Sequence, residues 1–275
     1  MIGGDDDRVG AEHRVVERHG GRGHDGVVRR DVGELALQQP DQLVREGVAL
    51  VVRVALERQA ELAKIWANIL RYATFALPNL LMMDCEQNGA NVFEVIDLIN
   101  RDYPRGGIAS PGLTAGTCLR KDFTFSEERS NAPGMLLAVS RVNESVPLFL
   151  VEGMKRRIGD LSERKVAVLG LAFKRDTDDE RDSLSHKLIR LLERELADVA
   201  VHDPRVSTPS QSFDEALAGA DAVVVATNHS DFDGAGPLRR IGELAADDCL
   251  VVDPWNAFGS AQVFAYAAEV AALTA

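Results

Sequence analysis

Four short apolar runs in the second half of the chain, residues 166–170, 199–204, 222–227 and 250–253, alternate with stretches of helical rhythm at 183–196 and 213–218. Runs of consecutive Val, Ala and Leu without polar alternation suit strands buried on both faces, and strands that alternate with helices predict a parallel sheet covered on each side. In an open sheet of this kind ligands sit beyond the carboxyl ends of the strands. The residues placed there are 170–174, Asp203, 227–229 and 253–256. The first of these turns, Gly170-Leu171-Ala172-Phe173-Lys174, holds one glycine and a lysine, and it is not the G-x-G-x-x-G fingerprint of a dinucleotide site. It fits a nucleotide bound in another way, or a plain sheet turn.

Upstream the rhythm is helical. Glu61, Lys64, Asn68 and Arg71 recur on one face, while Ile65, Trp66, Ile69, Leu70, Ala73, Leu77, Leu80 and Leu81 supply a broad apolar surface. The spacing predicts a long helix that bends at Pro78 and ends near Asn88-Gly89. A polar stripe on such a helix is ordinarily a solvated face. A second helix is expected over 92–100, then a loop over 101–107. A third long helix is expected over 131–160, with Pro147 inside it and Lys155-Arg156-Arg157 where cations suit a helix C-terminus. Long apolar helices of this kind serve a dimer interface or a bundle core equally well.

Residues 1–58 have a different character. They contain no Phe, Tyr, Trp or Lys and are rich in Arg, Val, Gly and Asp. A weak helical rhythm over 41–57 is the only periodic feature, and His13, His19 and His24 lack the partners and spacing of a metal site. The segment reads as a poorly ordered extension or as translation from a wrong start or shifted frame, the second being favoured. The expected organisation is thus an atypical segment 1–58, a central helical domain 59–160 and an α/β domain 161–275.

The formal net charge of -12 argues against nucleic acid or an anionic membrane as partner, but leaves room for a local basic pocket that takes a phosphate. Cys85, Cys118 and Cys249 are too few and too scattered for a disulfide framework, which suits a reducing cytoplasm. Arg53, Asn68 and Arg71 interrupt the longest apolar stretches before they reach membrane-spanning length, and the N-terminus has neither the basic nor the apolar part of a signal peptide.

Residues 112–122, Gly-Leu-Thr-Ala-Gly-Thr-Cys-Leu-Arg-Lys-Asp, read as a loop of small residues that delivers one cysteine into a basic setting. Glycines allow close approach of a backbone to a ligand, neighbouring cations favour a thiolate, and a carboxylate four residues on can hold or deprotonate a water. That is a covalent-catalysis loop. The plainer reading is a turn with a buried cysteine beside surface charges. Cys85 and Cys249 read as core residues, and His202 and His229, at strand ends, as structural or substrate-edge groups.

Three separated blocks, in order, resemble the UDP-glucose/UDP-N-acetylmannosamine dehydrogenases. Residues 61–68 look like the family's E-x-x-K-x-x-x-N helix, residues 112–122 like its G-x-x-x-G-x-C-x-x-K-D loop, and residues 168–183 like the opening of its UDP-binding domain. The resemblance covers roughly residues 60–275. It implies a central helical dimerisation domain followed by a Rossmann-like UDP-binding domain, and a homodimer. The implied reaction oxidises the C6 alcohol of a UDP-sugar to a carboxylate, with two NAD reduced per turnover. Carried over, Cys118 would form a thiohemiacetal and then a thioester. Lys64 and Lys121 would stabilise oxyanions and position water, Asn68 would hold the sugar side, and Asp122 would assist proton transfer. Gly112, Gly116, Phe173, Lys174 and Arg105 would face the UDP-sugar, and Arg181 the cofactor. No metal is implied. Two departures stand out. No dinucleotide fingerprint follows any strand, so residues 1–58 stand where the NAD-binding domain would be and the chain is expected to be truncated. Residues 101–105, 227–230 and Asp253-Pro254-Trp255-Asn256, where glucose-type members carry an arginine, look more like the N-acetylmannosamine branch. Two other readings remain: a UDP-sugar-binding fragment without turnover, and the remnant of a disrupted gene.

Overall fold

The computed structural model describes residues 57–104, 106–208 and 210–273. The expectations for residues 1–56, and for Arg105, lie outside the described residues. The chain divides into two units, Met1–Lys64 and Ile65–Ala275. The described part of the first is the opening of helix α1, Glu57–Gln87.

Within the second unit α1 continues to a stop at Gly89, whose φ of 64° is the left-handed conformation that glycine accepts most readily. Helix α2, Val92–Asn100, starts on Asn91, whose side chain accepts from the amides of Phe93 and Glu94, a cap worth about 1 kcal/mol. The stretch expected as a loop over 112–122 is a loop only as far as Gly116. Helix α3, Thr117–Glu127, begins there, because residues 117–127 contain neither glycine nor proline. Helix α4, Met135–Ile158, is shorter at both ends than the expected 131–160. Gly134 and Gly159, at φ 105° and 78°, bound it, and its basic residues fill the last turn. Pro78 and Pro147 each lie inside a continuous helix.

The α/β part follows as β1 (Lys165–Leu169), α5 (Leu184–Arg194), β2 (Asp198–His202), α6 (Phe213–Leu217), β3 (Ala222–Val225), α7 (Ala235–Leu244), β4 (Leu250–Val252), β5 (Phe264–Tyr266) and α8 (Ala267–Leu273). The four expected strands are present and mutually parallel. Elements α7, β5 and α8 are additional, and β5 pairs antiparallel with β4. Strand order is β2-β1-β3-β4-β5. The chain leaves β1 toward one side and returns from β2 to the other, so a crevice opens beyond the carboxyl ends of β1 and β3.

Both sheet faces are buried, as the unbroken apolar strands require. Val166, Val168, Val224 and Val252 pack in one cluster with Leu150 and Met154 of α4 and Leu188 and Leu192 of α5. Ala167, Leu169, Val223 and Val225 point the other way, toward Leu217, Ile241 and Val270. One core therefore runs from the helical part into the sheet and fixes α1, α4 and the loop before α3 against the crevice.

Candidate active site

The site is assembled from three elements whose positions are fixed by buried polar chains. The first is the loop before α3. The Gly112 amide donates to Asn79 Oδ1 at 2.8 Å, Asn79 Nδ2 donates to Asn143 Oδ1 at 2.9 Å, and Asn143 Nδ2 donates to the Tyr72 carbonyl at 3.0 Å. Asn79 and Asn143 are 0% exposed. Buried amides of this kind stay only where they are bonded, so the chain pins the loop to α1 and α4. Gly112 also lies flat under the Trp255 indole: a Cβ on it would stand 2.4 Å from ring carbons.

The second element is α3 itself. Cys118 occupies its first turn and is exposed. Gly116 offers no side chain as a cap, so the first-turn amides have no side-chain partner from the cap position. Thr117 Oγ1 donates to Asp182 Oδ2 at 2.6 Å and Arg120 pairs with Glu144 at 3.0 Å, so both ends of this turn are held from the α/β side and from α4. Asp122, one turn further on, is 3% exposed, and Asn68 Nδ2 donates to its Oδ2 at 2.6 Å.

The third element is the turn after β1. Gly170 takes φ 96°, and a Cβ there would meet Thr227 Cβ at 2.5 Å, so the β1 and β3 ends approach as closely as backbone allows. Asp203, at the end of β2, receives the amides of Leu171, Ala172, Arg205 and Val206 together with His229 Nε2. Burial pushes its carboxyl up, but His229 and the amides outweigh this and hold it well below the usual carboxylate range. His229 and Asp203 are structural pieces of the crevice, and Cys85 and Cys249 are buried core residues, as expected.

A cavity of about 450 Å³ joins these elements, lined by Asn68, Arg71 and Phe75 of α1, by residues 113–119, and by Phe173, Lys174, Arg175, Asp179, Arg181, Asn228 and Trp255. It gathers four cations, Arg71, Lys174, Arg175 and Arg181, against one carboxylate, Asp179, in a chain of net charge -12. Arg175 is engaged by Asp233 at 2.5 Å and by the Asn228 carbonyl. Arg181 forks onto Asp179 at 2.9 and 2.7 Å, and this pairing draws the Asp179 carboxyl down to about 2. Among the described residues, Arg71 and Lys174 have no ion-pair partner.

Of the residues singled out in the sequence, Asn68, Gly116, Cys118, Phe173, Lys174 and Arg181 line this cavity. Gly112 lies behind Trp255, and Asp122 behind Asn68. Lys121 is on the exposed side of α3, outside the lining, and Lys64 lies in the first unit, exposed on α1. Asn228 and Trp255, within the strand-end runs 227–229 and 253–256 where a ligand was expected, also line it, whereas Arg71, Phe75 and Arg175 were not singled out as site residues. Arg71 and Phe75 follow Asn68 by three and seven positions, the spacing of one helix face, which was the available signal. Among the described residues no group of three or more His, Cys, Asp or Glu is placed to hold a metal ion.

Residues 58–145 match the central domain, and residues 167–260 the UDP-binding domain, of the UDP-glucose/GDP-mannose dehydrogenase family. A UDP-N-acetyl-D-mannosamine dehydrogenase of Pyrococcus horikoshii is 33% identical over 207 residues, which is 73% of this chain and 49% of that protein. Its solved structure superposes with a TM-score of 0.62 over 71% of this chain and 47% of that one. A UDP-glucose dehydrogenase of Pyrobaculum islandicum, 29% identical, gives a TM-score of 0.61 over 72% of this chain and 48% of that one. The chain spans about half the length of the relatives it matches.

Proposed function

Because the chain belongs to the UDP-glucose/GDP-mannose dehydrogenase family, of which it carries the central and UDP-binding domains, we propose that it binds a UDP-sugar in the 450 Å³ cavity and presents Cys118 to the sugar's C6. The observation that carries this reading is the convergence in one cavity of an exposed thiol, uncapped helix amides and two unengaged cations. Lys174 and Arg71 suit the diphosphate, and Phe173 and Trp255 offer apolar faces to base or sugar.

The chemistry assigned to this chain is what its own residues carry. The Cys118 thiolate adds to the carbon of a C6 aldehyde, forming a C–S bond and moving the carbonyl electron pair to oxygen. The amides opening α3 face that developing charge, and one such donor is worth about 3 kcal/mol. After oxidation to a thioester, water adds to the same carbon and the thiolate leaves. Asp122, buried behind Asn68 and hydrogen-bonded to it, keeps the proton-transfer role that the resemblance implies. Lys121, beside Asp122 on α3, keeps the role of oxyanion and water ligand that the resemblance implies, and the same role for Lys64, in the first unit, rests on the resemblance alone. The two oxidations need a hydride acceptor, NAD in the family reading. The turn after β1 does not fit a dinucleotide: its one glycine, Gly170, is filled against Thr227 rather than open to a phosphate. Arg181, on the rim, is the one described residue assigned to the cofactor, and no step is routed through it.

UDP-N-acetylmannosamine is the favoured substrate, on the Trp255-Asn256 sequence after β4 and the named relatives; UDP-glucose is the alternative. A second reading, a UDP-sugar-binding fragment without turnover, rests on the turn after β1, where Gly170 packs on Thr227 and leaves no room for a dinucleotide phosphate. Residues 59–160 and 161–275 are assigned as its central and UDP-binding domains. The partner is a second copy of the chain, through the exposed stripe Trp66, Leu70, Leu77 and Leu80 on α1. No described helix is long and apolar enough to cross a membrane, and a reducing cytoplasm suits three free thiols. The test is formation of NADH with UDP-N-acetylmannosamine and UDP-glucose. Activity lost in Cys118→Ser supports the enzyme; UDP-sugar binding with no turnover supports the fragment; neither binding nor turnover overturns both.

A further inference from the structure

His229 is 0% exposed, yet both ring nitrogens are engaged by different parts of the crevice. Nδ1 accepts the Asp176 amide at 3.0 Å, so the ring proton sits on Nε2, which donates to Asp203 Oδ2 at 3.2 Å. Asp203 Oδ2 in turn receives the amides of Leu171 and Ala172. The segment 171–176 is thus gripped at its start by Asp203 and at its end by His229, and the three residues of it that line the cavity, Phe173, Lys174 and Arg175, lie between the grips. Asp176 itself takes φ 55°, a left-handed conformation that a residue other than glycine keeps only where its surroundings hold it. The Ser230 amide and hydroxyl hold its carboxylate at 2.9 Å, and His229 holds its amide. The ring packs edge-on to Phe232, 5.9 Å between centroids, which leaves it little freedom to turn.

We propose that His229 is a positioning residue for nucleotide binding: through its Nδ1 it sets the end of the 171–176 segment, and with it the Lys174 ammonium and Phe173 ring. This rests on the reading of the cavity as a UDP site. The hydrogen bond to Asp203 serves stability; the one to Asp176 serves the ligand. Two substitutions separate them. In His229→Asn the amide oxygen stands where Nδ1 stood and keeps the Asp176 contact, while the donor to Asp203 is lost. In His229→Gln the amide nitrogen stands where Nε2 stood and keeps Asp203, while the acceptor for Asp176 is lost.

The experiment is calorimetric titration with UDP, thermal unfolding, and hydrogen exchange of the 171–176 segment, on the full chain and both variants. His229→Gln is expected to unfold near the wild-type temperature, since the bond it loses is at an exposed residue, to bind UDP about tenfold more weakly, and to exchange its Asp176 amide about tenfold faster, the scale of one lost hydrogen bond. His229→Asn is expected to unfold at a lower temperature and bind within about threefold of wild type, since the Asp176 contact that sets the loop is kept. Affinity that falls in step with stability in both variants would make His229 merely structural and overturn the proposal. So would wild-type affinity and exchange in His229→Gln. If the wild-type chain fails to bind UDP, the UDP reading fails by itself, and the exchange pattern still decides whether His229 positions the segment.

Discussion

Gly112→Ala isolates the contact between the thiol-bearing loop and the sheet. A Cβ at this position would stand 2.4 Å from Trp255 Cδ2 and Cε3, at a φ of 153°. Neither side can retreat freely. The Gly112 amide is tied to Asn79, and the Trp255 indole N–H is tied to the Ala226 carbonyl at 3.2 Å. Overpacking of a filled site costs about 1–3 kcal/mol, and a left-handed alanine adds roughly 1 kcal/mol. The sum, about 2–4 kcal/mol, corresponds to roughly 4–16 °C in the unfolding midpoint of a domain of this size. The chain has two tryptophans, and Trp66 is exposed, so Trp66→Phe leaves Trp255 as sole reporter. In that background the fluorescence of Gly112→Ala should shift, showing the indole displaced. Adding Trp255→Leu should recover at least about 1 kcal/mol of the loss, as contacting residues do in a double-mutant cycle. A Gly112→Ala protein within about 0.5 kcal/mol of its parent, the ordinary scale of a surface change, would refute the close packing of Gly112 on Trp255.

Three further outcomes are expected. Burial, against the pull of the Phe258 and Trp255 amides, pushes the Asp253 carboxyl up to about 6. The folded state then holds a proton that the unfolded chain has released, so this group's contribution weakens as pH rises from about 4 to 6, by roughly 3 kcal/mol; urea unfolding across that range should lose this slope in Asp253→Asn. Asp203 works in the opposite sense: its stabilisation is complete above the ordinary aspartate range and is lost as pH falls below it, so acid unfolding of Asp203→Asn should be shallower below about pH 4. Under native conditions iodoacetamide should label Cys118 alone, read by mass spectrometry, because Cys85 and Cys249 are buried; burial also pushes the Cys249 thiol up to about 12.

The α/β half was legible because its signal is local. Strands buried on both faces must be unbroken apolar runs, and the runs at 166–170 and 222–227 became β1 and β3 with the crevice between them. Helix α2 was read to the residue, and the structure adds the Asn91 cap that fixes its start. What escaped depends on contacts distant in sequence. Strand β5 is three residues long and exists as a partner for β4. The start of α3 was hidden because small residues on both sides of Gly116 look alike until Phe173 packs on the glycine. Cys118 was singled out from its chemistry, Asn68 and Lys174 from the family resemblance, and Trp255 from its place after the last parallel strand; all four line the cavity. The Asn79–Asn143 chain was not legible, since an amide 33 residues before the loop that it holds leaves no periodic trace.

Calorimetric titration of the purified chain with UDP, and separately with NAD, tests the assignment most directly. The account predicts that UDP binds, that Lys174→Ala weakens it at least about tenfold, as loss of a charge-assisted contact should, and that NAD does not bind. A chain that takes up no UDP, or binds it equally well without Lys174, contradicts the cavity as a nucleotide site, and micromolar binding of NAD contradicts the reading that the described residues hold no dinucleotide site.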